Sequence, residues 1–116
     1  MLNEKDLISI NSRFSDGNVV NSSSLKYTVN YVGRSSNWIK SLACLIRAIL
    51  IDHIFEDGNK RTTAAIIAYY LEEKDYNYNI DEINKLIIKV IKKNIKNIEE
   101  IERLIENVTK SSATEN

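Results

Sequence analysis

Proline is absent from all 116 residues, and glycine occurs only three times. In a helix interior proline costs about 3 kcal/mol and glycine about 1 kcal/mol relative to alanine. A chain almost free of both breakers can run long helices, so the first expectation is an all-α fold. The length supports one hydrophobic core and falls short of two ordinary domains. The chain therefore reads as a compact single domain over residues 1–109 followed by a polar tail over 110–116.

Apolar periodicity locates the helices. Leu7, Ile8, Ile10 and Phe14 recur near helical spacing within Asn3–Phe14, with Asn3 a suitable N-cap. Ser15-Asp16-Gly17-Asn18 has turn chemistry, and Asn21-Ser22-Ser23-Ser24 offers caps for a segment running to about Val32 and ending at Gly33. The polar stretch from Asn18 to Ser36 reads as the least regular part of the chain, the place for a surface flap. From Ser36 the pattern sharpens. Trp38, Ile39, Leu42, Ala43, Leu45, Ile46, Ile49 and Leu50 cover more than one stripe, which marks a central helix contacted on several sides.

A second buried helix begins at about Lys60, where Ala64, Ala65 and Ala68 permit close packing against the first. Tyr76 to Ile80 reads as a short extended piece. Asp81 is then taken as the cap of a helix with Ile83, Leu86, Ile87, Val90 and Ile91 inward, its solvated face completed by Lys85, Lys89, Lys92 and Lys93. A last helix over 97–108 turns Ile98, Ile101, Leu104, Ile105 and Val108 to one side.

Sixteen basic and sixteen acidic residues cancel. No global field favours nucleic acid or an anionic membrane, so any phosphate site must be built locally. Nor is any stretch apolar for the roughly 20 residues of a membrane span; Lys40 and Arg47 interrupt the best candidate, Trp38 to Leu50. Neither nucleic acid nor a membrane is an expected partner. The opening residues lack a basic region followed by an apolar run, and the single Cys44 can make no internal disulfide. Both observations point to the cytoplasm.

Between the two most buried segments stands His53-Ile54-Phe55-Glu56-Asp57-Gly58-Asn59-Lys60-Arg61-Thr62, which holds the only histidine. Gly58 lets backbone approach a ligand, and the orphan N–H groups opening the next helix favour an anion. Lys60 and Arg61 lie in that first turn, where cations oppose the helix dipole; a bound polyphosphate reverses the penalty. Asp57 supplies a hard oxygen suited to a substrate-shared Mg²⁺. Histidine is the one side chain whose ordinary pKa lies near neutrality, and His53 could accept a proton from an attacking hydroxyl. Phe55, between polar neighbours, is expected to turn inward and anchor the loop. Singly, each residue has a bland explanation in a turn or cap. Their combination is what a core loop seldom needs.

The same residues resemble the Fic/Doc signature, His-x-Phe-x-Asp/Glu-Gly-Asn-Gly-Arg in Fic proteins and His-x-Phe-x-Asp-Ala-Asn-Lys-Arg-Thr in Doc toxins. Chain length and helix order also look like Doc. The resemblance implies the Fic/Doc (Fido) helical fold, with a central buried helix pair and a short flap hairpin. It further implies that His53 deprotonates the target hydroxyl, Asp57 holds Mg²⁺, and Gly58, Asn59, Lys60 and Arg61 bind the phosphates of ATP. AMP-transferring Fic proteins have glycine where Lys60 stands and a second arginine where Ala64 stands. Both departures resemble Doc, in which the γ-phosphate is transferred. Gly58, where Doc has alanine, keeps a trace of Fic. The implied function is a toxin kinase acting on a Ser or Thr hydroxyl of a cytoplasmic protein, by analogy a translation factor, and restrained by a separate antitoxin. The alternatives are Fic-type AMP transfer (AMPylation) by the same motif and a catalytically inactive binding module. Ser111 to Asn116 also matches the Fic inhibitory pattern Ser/Thr-x-x-x-Glu-Gly/Asn, but so short a pattern arises easily in a polar tail.

Overall fold

The computed structural model describes residues 2–114, with side chains through 110. Six helices follow in order: α1 (Glu4–Ser12), α2 (Ser22–Arg34), α3 (Trp38–Leu50), α4 (Asn59–Glu73), α5 (Ile80–Lys92) and α6 (Ile98–Thr114). Helix α3 is the hub. It packs against α2, α4, α5 and α6, and Leu42, Ala43, Leu45, Ile46 and Ile49 are wholly buried. The broad apolar surface read from its sequence is thus spent on four neighbours. Helix α4 crosses α3 and also meets α1 and α5. The Cα radius of gyration, 13.2 Å, is about what one compact chain of this length adopts.

Asparagine starts most of these helices. Asn3, Asn21, Asn37 and Asn79 accept a first-turn N–H of α1, α2, α3 and α5 through their side chains, and Asn97 Oδ1 accepts from Glu100 N in α6 at 2.9 Å. At α1 the cap is reciprocal, since Asn3 N also donates to Asp6 Oδ2 at 2.9 Å. Short polar side chains of this kind satisfy otherwise orphaned amides, each worth about 1 kcal/mol.

Several local expectations shift. Gly33 does not end α2, which runs one residue further to Arg34; at an exposed last turn the glycine penalty is small against the continued hydrogen bonds. The cap of α5 is Asn79, with Asp81 in the first turn beside Glu82, where carboxylates suit the helix dipole. Ile91, expected inward, is 38% exposed. The backbone of α6 continues through the expected tail to Thr114; Glu115 and Asn116 of the inhibitory-type pattern lie outside the described residues. Most of the expected flap is helix α2, and among the described residues its remainder forms one isolated antiparallel bridge, Val19 with Phe55, and no hairpin. Cys44 is half-buried, and burial pushes its thiol above the ordinary range. Among the described residues no helix is long and apolar enough to cross a membrane.

Candidate active site

The turn from α3 into α4 is held from both sides by residues far away in sequence. Helix α3 closes with Ile51 N and Asp52 N donating to Arg47 O. Asp52 is then clamped by the start of α2: Asn21 Nδ2 donates to its carbonyl at 2.9 Å and Ser24 Oγ to its Oδ2 at 2.7 Å. Val20 N and Asn21 N both donate to Ile54 O, and Glu56 N donates to Asn18 O at 3.0 Å. The part of the flap region outside α2 therefore braces the loop itself. Ile54 and Phe55 point into the core, at 0% and 1% exposure, so the inward turn expected of Phe55 is present. With those two anchored, the side chains on either side stay in solvent: His53, Glu56, Asp57, Lys60 and Arg61 are exposed.

Two asparagines fix the loop's inner geometry. Asn59 closes a ring on one residue, accepting from Phe55 N at 3.2 Å and donating to Phe55 O at 2.8 Å. Expected as a phosphate ligand, its side chain is here engaged in holding the loop. Asn11, from α1, is completely buried. Its Nδ2 donates to Asp57 O at 2.9 Å and to Thr62 Oγ1 at 3.0 Å, while its Oδ1 accepts from Gly17 N at 3.0 Å. One amide thus ties α1, its following turn, the loop and the first turn of α4 together.

Backbone conformation at two points is unusual. Gly58 has φ +76°, and a Cβ there would lie 3.1 Å from Asn11 Nδ2 and 3.3 Å from Ser15 Cβ. Glycine meets both the left-handed conformation and the space. His53 also has positive φ, +51°, a conformation uncommon outside glycine. Asp75 and Asn94 share it, but each follows a helix end whose paired bonds explain it. Tyr76 N donates to Leu71 O and Asp75 N to Glu72 O, and Ile95 N donates to Val90 O and Asn94 N to Ile91 O, both Schellman closures. His53 has no such closure.

Around this loop opens a cleft of about 590 Å³ lined by His53, Glu56, Asp57, Gly58, Asn59, Lys60 and Arg61, with walls from Phe14, Leu50, Ile51, Ile91 and Asn94. Its volume is in the usual range for a small-molecule site. Every predicted site residue lines it. The N-terminus of α4 opens here without a side-chain cap, unlike the asparagine-capped helices around it, and without an acidic residue in its first turn. Lys60 and Arg61 stand in that turn, and among the described residues neither they, His53 nor Asp57 makes an ion pair. Glu56 is held by Asn18 Nδ2 at 2.6 Å. The site combines a field favouring an anion, two cations, two carboxylates, of which Glu56 is engaged by Asn18, and one imidazole.

Sequence reasoning missed Asn11, Asn18, Asn21 and Ser24 as supports and Phe14, Ile91 and Asn94 as walls. Nothing local distinguishes Asn11 from any polar residue in an amphipathic helix. No family model, curated protein or solved structure matches the chain.

Proposed function

We propose that this chain is a Doc-like transferase that moves the γ-phosphate of ATP onto a Ser or Thr hydroxyl of a protein. The observation that carries the reading is the meeting, in one cleft, of His53, Asp57, Lys60 and Arg61 with the uncapped start of α4. Lys60, Arg61 and the first amides of α4 hold the polyphosphate and offset its charge. A ring nitrogen of His53 takes the hydroxyl proton as that oxygen attacks the γ-phosphorus. The bond to the β–γ bridging oxygen breaks and ADP leaves. Asn59 and Asn11 act by position, keeping the loop in shape.

Asp57 fits a hard cation by its exposed carboxylate. Among the described residues no group of three or more His, Cys, Asp or Glu is placed to hold a metal, so the fit is to Mg²⁺ shared with the phosphates, whose part when bound is to neutralise their charge. The cytoplasmic target, its likeness to a translation factor and the restraining antitoxin rest on the resemblance of His53 to Thr62 alone. Incubation with ATP labelled separately at the α and γ positions, with a candidate target protein, tests the transfer. Label from the γ position alone is expected. Label from the α position alone would make the enzyme an AMP-transferase, and growth arrest and label transfer both unchanged in His53→Ala would leave a binding module.

A further inference from the structure

We infer that the outer face of α5 is a docking surface for an acidic amphipathic segment of another protein. Ile80 and Ile88 are 55% and 58% exposed and Ile91 is 38% exposed. Isolated exposed apolar residues need no explanation. These three, with Asn84 between them, fall at i, i+4, i+8 and i+11 on one stripe beside the buried face of Ile83, Leu86, Ile87 and Val90. The apolar surface of α5 is therefore wider than the core beneath it covers.

Charge beside the stripe selects the occupant. Lys85, Lys89 and Lys92 border it, and between Glu82 and Glu99 the chain carries five lysines and no carboxylate. Of these lysines only Lys85 is paired among the described residues, with Glu82 at 3.4 Å, the lysine largely in solvent and the glutamate partly buried. In a chain of zero net charge this is a local positive field, not a general one. A helix bearing apolar residues at i, i+3 or i+4 and i+7 would cover the isoleucines while flanking carboxylates met the lysines. A second copy of α5 would set lysine against lysine. Nucleic acid would use the lysines but gain nothing from the isoleucines, and the stripe has no aromatic residue to stack a base. Ile91 also walls the cleft, so a segment lying along α5 ends at its mouth.

The test uses the full chain and two synthetic helical peptides about 15 residues long, enough to span the roughly 20 Å of α5. They share one leucine stripe, flanked by glutamate in one and lysine in the other. Backbone amide NMR shifts are expected to move along Ile80–Lys92 with the acidic peptide. Its affinity should fall about tenfold in Ile80→Ser/Ile88→Ser, about tenfold in Lys89→Glu, and steadily with added salt. The lysine peptide should bind at least about tenfold more weakly. Unchanged thermal unfolding of these surface variants keeps the comparison one of binding. Absence of binding by the acidic peptide, equal binding of both peptides, shifts confined to Lys60 and Arg61, or tighter binding to anionic phospholipid vesicles would each overturn the inference. No step involves ATP, so this result and that of the transfer assay stand apart.

Discussion

Removing the Asn11 side chain should destabilise the loop from His53 to Arg61 without altering any of the exposed side chains that line the cleft. In Asn11→Ala, Asp57 O, Thr62 Oγ1 and Gly17 N lose partners held at 2.9–3.0 Å. Thr62 is wholly buried and the other two bonds are part-buried, so water can rescue only some of them. A buried polar group left unpaired costs about 1–3 kcal/mol. With the Thr62 hydroxyl free to rotate toward another acceptor, the sum falls near 2–4 kcal/mol, or a drop in Tm of about 10 °C for a domain of this size. Asn11→Asp separates the donor role from mere volume. The carboxylate still accepts from Gly17 N but faces the Asp57 carbonyl with no proton, and it is ionised without solvent, so its folded pKa rises above the unfolded value near 3.9. The folded state then binds more protons than the unfolded one. Stability of this variant should therefore be highest in acid and fall as pH rises through that folded pKa. Urea denaturation of wild type and both variants at pH 5 and pH 8 reads this directly. If Asn11→Ala lay within about 0.5 kcal/mol of wild type, or Asn11→Asp were as stable as wild type at pH 8, the amide would not be the tie described.

At His53 the left-handed backbone costs about 1 kcal/mol in any residue with a Cβ, so His53→Gly should be more stable in urea than His53→Ala by about that amount while both lose label transfer; equal stability would mean the φ of +51° is unstrained. Gly58→Ala should destabilise by about 1–3 kcal/mol, because the new methyl meets Asn11 Nδ2 and Ser15 at φ +76°; an unchanged urea midpoint would refute the crowding. Burial pushes the Tyr70 hydroxyl from 10.0 up to about 12. The unfolded chain ionises first, so stability should decline as pH rises from about 10 toward 12, and Tyr70→Phe should flatten that decline in urea titrations at successive pH values.

What the sequence made legible follows the range of the interactions involved. The helix order was readable because periodicity and caps act within one turn, and the width of the apolar pattern in Trp38–Leu50 even marked α3 as central. Most boundaries moved by a residue or two, as where Asn79 and Asp81 offered the same service at α5, whereas α6 runs on through the expected polar tail to Thr114. The cleft was legible because His53 to Arg61 is contiguous. Its supports were not. Asn11 reaches Asp57 across 46 residues, Asn18 reaches Glu56 across 38 and Asn21 reaches Asp52 across 31, and no local pattern encodes such pairings. Asn59 shows the converse: the Fic/Doc resemblance implied a phosphate ligand, whereas both ends of its amide engage Phe55.

Local physical rules are broken in this chain mainly in one place. Helices elsewhere start on asparagine caps, and the other left-handed non-glycine residues sit in closures that account for them. Within nine residues, by contrast, a histidine takes a strained φ, a helix starts without a cap, and two cations occupy the turn where the dipole opposes them. Each feature lowers stability, and three braces from α1, from the 18–21 segment and from Asn59 are needed to hold it. A loop that only joined α3 to α4 could have used an asparagine cap, as the other helices do, and a neutral or acidic first turn, as α2 and α5 do. Strain of this kind persists when the surrounding structure overdetermines it. The two anion-related features, the uncapped start and the paired cations, share one remedy, since a polyphosphate over the start of α4 would cap its amides, satisfy Lys60 and Arg61 and turn their charge to advantage. On this reasoning ATP should raise the Tm of wild type, and Lys60→Gln, which removes the charge without adding a helix breaker, should be more stable than wild type without nucleotide while gaining less from it.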